Sequence, residues 1–242
     1  METLFTIDGI ISLLTLIVLE IVLGIDNVIF ISIFTGKLPA RQQPKARMIG
    51  LSLALIARIL LLLGISAIIK MKDPVFTAFN TPFSIRDLIL FSGGVFLLVK
   101  TTGEIHNNIE GENEHVNESK SQTFYKIILQ IILIDIVFSF DSILTAIGLV
   151  QEVIIMVIAV IAAMVVMLLF SGPVSNFVNG HPTVKMLALS FLMMIGTMLI
   201  LDAFHVEVPK GYIYFSIAFS FFVEMLNLKM RKKKAKKDIS RE

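Results

Sequence analysis

Two stretches of this chain put carboxylates in the middle of apolar runs long enough to cross a bilayer, and nothing else in the sequence restricts its fold as tightly. The first is Glu20-Ile21-Val22-Leu23-Gly24-Ile25-Asp26-Asn27, and the second is Asp135-Ile136-Val137-Phe138-Ser139-Phe140-Asp141-Ser142. Glu20 aligns with Asp135, Asp26 with Asp141, the small Gly24 with the small Ser139, and Asn27 with Ser142. An ionisable residue inside a membrane segment costs about 2.5–3.5 kcal/mol on insertion scales. Four acids at that depth mark a functional centre.

A crossing helix takes about 20 apolar residues. Seven runs meet that length, at about 7–34, 47–69, 85–103, 123–149, 152–171, 184–203 and 211–229. With 56% hydrophobic residues and a mean hydropathy of +0.86, the chain falls outside the range of ordinary soluble domains. The expected fold class is all-α, a polytopic membrane protein of seven transmembrane helices in a single membrane domain. No basic region precedes the first run and no small-residue cleavage site follows it, so it reads as a retained span. The seven prolines are expected in or beside the breaks, where they end helices. The chain has no cysteine, which excludes disulfides and thiolate metal ligands.

Basic residues set the expected orientation. Loop one carries Lys37, Arg41, Lys45 and Arg47, and the tail at 230–242 is dense in lysine. An odd number of spans puts both on one side, hence the cytoplasm, with the N-terminus outside. The tail reads as a topology anchor with affinity for anionic lipid, and no nucleic-acid partner is expected. The acidic loop 104–121, with Glu104, Glu110, Glu112, Glu114 and Glu118, is expected to be solvated. Its sharper reading is a cytoplasmic surface that gathers cations.

The motifs belong to runs one and four, so the repeat unit is three spans. Three is odd, and the second copy therefore enters the membrane inverted. The expected architecture is two inverted three-helix repeats, at about 7–103 and 123–203, plus one extra helix at about 211–229. Gly94–Lys100 aligns weakly with Gly196–Asp202 in support. Inverted repeats are a transporter device, with the substrate site near the midplane where the repeats meet. On a straight helix Glu20 and Asp26 point roughly 120° apart and stand about 9 Å apart along the axis. Either the helices break at Gly24 and Ser139, adding backbone carbonyls to the site, or inversion sets Glu20 level with Asp141 and Asp26 level with Asp135.

The donors are Glu20, Asp26, Asn27, Asp135, Ser139, Asp141 and Ser142, all oxygen. Hard oxygen suits Mn²⁺, Mg²⁺ or Ca²⁺, whereas Zn²⁺ and copper favour imidazole or sulfur. His106, His115, His181 and His205 lie in loops or at span ends. The bland alternative is that the acids are merely protonated or hydrogen-bonded. Arg58, in the middle of run two, reads as an ion-pair partner for a motif acid or as a built-in cation that fills the site in one state. Lys100 pairs with Glu104 at a span end, or with Asp202 as a gate. Glu224 and Asn227 read as snorkelling or capping groups, and the methionines as packing filler.

At these residues the chain resembles the TerC family of integral membrane proteins, within the wider LysE-type transporter superfamily. The resemblance rests on Leu19–Asn27, Asp135–Ser142, Lys100 with Glu104-Ile105-His106, His181–Leu192 and Val208–Phe215. It implies a bacterial cytoplasmic membrane protein that exports manganese, in part to metal-requiring secreted enzymes. Glu20, Asp26, Asp135 and Asp141 would carry the metal site, with Asn27, Ser139 and Ser142 in second rank. The ion is cargo, and no bound cofactor is expected. The alternatives are a small-solute exporter, which four acids would disfavour for an anionic substrate, and an accessory that docks a secretion or metalloenzyme partner. An enzyme is not expected, because no nucleophile–base pair lies at membrane depth.

Overall fold

A computed structural model describes residues 6–64, 69, 71–78, 81–110, 120–150, 152–206 and 208–239. The side chains of Asp26 and Asp141, and of a few other residues in α4 and at the C-terminal end, lie outside this description. Seven long helices are described: α1 (Ile7–Thr35), α2 (Gln43–Leu63), α3 (Ile85–Glu110), α4 (Lys120–Leu149), α5 (Val153–Gly180), α6 (Pro182–Ala203) and α7 (Lys210–Ile239). Among the described residues six stretches are long and apolar enough to cross a membrane: α1, α2, α3, α5, α6 and residues 211–231 of α7.

The helix ends follow local rules. Thr6 caps α1 by accepting from the Gly9 amide at 3.1 Å. Pro44 and Pro182 stand in the first turns of α2 and α6, where a missing amide proton is harmless. Ser84 and Asp87 form a reciprocal box that starts α3: the Ser84 amide donates to Asp87 Oδ2 at 2.8 Å and the Asp87 amide to Ser84 Oγ at 3.3 Å. His205, just past α6, takes the left-handed conformation (φ 59°) that glycine usually fills, and its ring meets Asp87 Oδ2 at 3.1 Å.

Three boundaries differ from the expectation. The apolar stripe of α3, Leu90, Gly94, Leu97, Thr101 and Glu104, is buried without interruption, so the helix runs through Glu110 into the supposed acidic loop. Glu112, Glu114, His115 and Glu118 lie outside the described residues. Helix α5 continues to Gly180 with Pro173 inside it, where a break was expected. The segment before α3 holds a two-stranded antiparallel hairpin, β1 (Pro74–Ala78) with β2 (Thr81–Ser84), a small departure from all-α. The Phe76 and Phe83 rings stack across it at 5.5 Å.

Packing joins the helices in pairs. Helices α1 and α5 run parallel, with Gly24 against Met167 and Gly36 against Asn179. Helices α2 and α4 also run parallel, with Gly50 against Ile131 and Arg58 against Asp135. Helix α3 lies antiparallel to α6, since Glu104 meets Lys185 at one end and Asp87 meets His205 at the other. Helix α7 stands at the edge with Phe215, Phe219 and Phe222 exposed. Thr183 donates to Glu224 at 2.5 Å and so fastens α7 to the start of α6, giving Glu224 an interhelical role.

Candidate cation site

The centre of the molecule is an ion cluster contributed by α1, α2 and α4. Arg58 Nη1 stands 2.8 Å from Glu20 Oε2 and Nη2 stands 2.7 Å from Asp135 Oδ1. Arg58 Nε adds contacts to both Asp135 oxygens at 3.2 and 3.1 Å. Glu20, Arg58 and Asp135 are 4%, 3% and 3% exposed. At such burial a lone charge would be untenable, and the planar guanidinium fork matches carboxylate geometry where an ammonium would not.

The secondary oxygen donors gather at Asp135. Asn27 Nδ2 donates to Asp135 Oδ1 at 3.1 Å and the Ser139 hydroxyl to Asp135 Oδ2 at 3.2 Å. Ser142 donates instead to the Ser139 carbonyl at 3.2 Å. The Asn27 carbonyl oxygen Oδ1 is buried and has no hydrogen-bond partner among the described residues. An acceptor left bare beside two carboxylates suits a cation and costs stability otherwise.

Neither helix breaks: α1 is continuous through Gly24 and α4 through Ser139. Gly24 is small for a packing reason, since a Cβ there would stand 2.3 Å from the Met167 sulfur. The methionine fills space at the motif. Asn27, next to Asp26, is level with Asp135, while Arg58 bridges from Asp135 to Glu20. Glu20 and Asp135, the first acid of each motif, thus share one cation. Asp26 and Asp141 sit on α1 and α4, with side chains outside the described set.

Lys100 and Asp202 are not brought together. The antiparallel register of α3 and α6 sets Asp202 near Phe91, whose ring lies 5.9 Å from that of Phe204. Lys100 is nine residues farther along α3, roughly 13 Å. Asp202 borders a different feature, a cavity of about 60 Å³ that also touches Arg58, Ser142 and Tyr214.

A second ion cluster is absent from the sequence reading. Glu104, only 4% exposed, takes Lys37 Nζ at 2.5 Å and Lys185 Nζ at 3.5 Å, and Asn108 Nδ2 donates to it at 3.3 Å. It ties the end of α1 to α3 and α6. Its signal was the spacing of Leu90, Gly94, Leu97, Thr101 and Glu104, a helical face that keeps its phase through the acid.

The model of the family described as "Integral membrane protein TerC family" matches residues 5–238. A UPF0053 protein of Haemophilus influenzae is 48% identical over 223 residues, covering 92% of this chain and 94% of that protein. The UPF0053 inner membrane protein YgdQ of Escherichia coli K12 is 49% identical over 219 residues, 90% of this chain and 92% of that one. The inner membrane protein YoaE of the same strain is 49% identical over 217 residues, which are 89% of this chain and only 42% of the longer relative. No solved structure matches.

Proposed function

The chain belongs to the integral membrane protein TerC family, and from that premise we propose that it exports a divalent cation, Mn²⁺ before Mg²⁺ or Ca²⁺, out of the cytoplasm. The observation that carries the reading is the buried oxygen cluster of Glu20, Asp135, Asn27 and Ser139, closed on a cation of the protein's own. A site that holds a guanidinium between two carboxylates in a low-dielectric interior has the charge to hold a metal ion when that group withdraws. Hard oxygen favours Mn²⁺, Mg²⁺ or Ca²⁺ over Zn²⁺, and the choice of Mn²⁺ among them leans on the family resemblance.

The helix directions support seven spans in two inverted repeats. Parallel α1 and α5 need an odd number of crossings between them, which three crossings by α2, α3 and α4 satisfy. A two-fold exchange of α1–α3 with α4–α6 would turn the α1–α5 contact into α4–α2, and both pairs are parallel. It would also set Gly94 against Gly196. A Cβ on Gly94 would stand 2.6 Å from the Gly196 carbonyl, and one on Gly196 would stand 3.1 Å from the Gly94 carbonyl. Relatives named as inner membrane proteins support the same membrane here. The basic loop and tail favour a cytoplasmic C-terminus.

The test is Mn²⁺ flux in proteoliposomes for wild type, Asp26→Asn and Asp141→Asn, with Ca²⁺ and Mg²⁺ as competitors. The expected result is flux in wild type, lost in both variants with melting behaviour preserved. Equal low flux in all three would move the acids to a structural or partner-docking role.

A further inference from the structure

We infer that Arg58 is a tethered counter-cation that exchanges with the transported ion, leaving Glu20 and Asp135 for Asp202 across the adjoining cavity when the ion binds. The inference rests on the transport reading and adds to it the group that controls access to the site.

Occupancy comes first. Three of the Arg58 nitrogens are directed at Glu20 and Asp135, and the contacts engage both Asp135 oxygens. Asn27 and Ser139 add their protons to the same Asp135 oxygens. Lone pairs turned toward five donor contacts are not available to a metal ion. A dication brought to these carboxylates would also face the guanidinium at close range with little water to screen the repulsion. The ion and Arg58 in its present place therefore exclude one another.

The space for withdrawal is next to the head group. The cavity of about 60 Å³ has Arg58 on its wall, and its other polar lining comes from Ser142, Asp202 and Tyr214. At about 30 Å³ per water in the liquid it holds roughly two waters, enough for the end of the side chain to turn into without moving α2. The remaining lining is apolar, including Leu23 and Phe138, so a guanidinium entering it is drawn to Asp202, the carboxylate that shares the lining. Arg58 thus has an acidic partner in either position and is never left as an unpaired buried charge.

The vacated site is suited to a cation. Without Arg58, the Asp135 oxygens turn to the ion, the hydroxyl of Ser139 can rotate to present a lone pair, and the bare Asn27 Oδ1 is at hand. A permanently structural Arg58 leaves that unused acceptor unexplained.

Exchange makes a prediction that a fixed ion pair does not. When the binding-competent state is only partly populated, apparent affinity falls by that fraction. Removing the competing charge should raise affinity, and removing its refuge should lower it. Mn²⁺ binding is measured on the full chain in detergent for wild type, Arg58→Gln, Asp202→Asn and the double variant, each first checked by gel filtration and melting. We expect Arg58→Gln to bind Mn²⁺ at least about tenfold more tightly than wild type and Asp202→Asn several-fold more weakly. In the Arg58→Gln background Asp202→Asn should have no effect, whereas an Asp202 that touches the ion would weaken binding in both backgrounds. Equal or weaker binding by Arg58→Gln overturns the exchange. Should that variant fail to fold, unchanged binding by Asp202→Asn overturns it alone. Absence of Mn²⁺ binding in every variant, wild type included, would sink the transport reading itself.

Discussion

Two of the ion clusters among the described residues, one built on an arginine and one on lysines, differ in what their cations can reach. Around Glu20 and Asp135 all three charged groups are buried, and Arg58 meets its partners through several nitrogens of a rigid fork. Around Glu104 only the acid is buried, while the Lys37 and Lys185 side chains are 33% and 21% exposed. Removing a partner from the first strands a charge in the interior. Removing one from the second lets a flexible ammonium turn to water. The first arrangement suits a site whose charge must be replaced by another charge, and the second suits a contact that opens and closes where the end of α1 meets α3 and the start of α6.

The comparison is broken most severely from the inside. Asp135→Leu should cost about 3–5 kcal/mol, because Arg58 keeps Glu20 alone and remains desolvated. Thermal melting in detergent reads the loss. Replacing Glu20, Arg58 and Asp135 together with Leu, Met and Leu should recover most of it, since packed apolar groups need no partners. A triple variant as unstable as Asp135→Leu would show that the loss arises from packing and not from the stranded charge. Gly94→Val should come next. Its side chain would press on the Gly196 carbonyl and on Ile200, at a cost of about 1–3 kcal/mol from forced separation of α3 and α6. Glu20, Arg58 and Asp135 ride on other helices, so the losses from Gly94→Val and Asp135→Leu should add in the double variant. A double variant no less stable than Asp135→Leu would show that the α3–α6 seam and the interior cluster fail as one unit.

The two clusters were unequally legible in the sequence. Glu20, Arg58 and Asp135 stood out because a charge inside an apolar run has no bland background to hide in. The repeat paired Glu20 with Asp135, yet it could not reveal that Arg58 lies between them, since no counterpart of Arg58 marks the second copy. Glu104 was hidden for the opposite reason. It opens a segment rich in charge, and composition there suggested solvent, whereas the phase of the buried face from Leu90 through Thr101 carried the helix on. Gly24 and Pro173 misled through their chemistry. Each is a common breaker, but Gly24 is small to admit Met167, and Pro173 lies inside a long helix that continues to Gly180. Lys100 and Asp202 aligned in the sequence, and antiparallel packing is what keeps them apart: positions equally far along α3 and α6 from the Gly94–Gly196 crossing diverge.

The smallest effect sharpens the comparison at its weak end. Lys37 reaches Glu104 from the short connection after α1, and a third of its side chain already meets solvent. An ion pair of that exposure contributes about 0.2–1 kcal/mol, and salt screens it. Lys37→Ala should therefore lower the melting temperature slightly in dilute buffer, and the difference from wild type should vanish at high salt. Glu104 keeps Lys185 and Asn108 in that variant, so its buried carboxylate is not stranded. The same salt series applied to Asp135→Leu should leave its deficit intact, because charges this deeply buried are screened little by bulk salt. A deficit that shrank equally in both variants would mean that water and salt reach the central cluster, and the contrast between a sealed exchange site and an exposed latch would be lost.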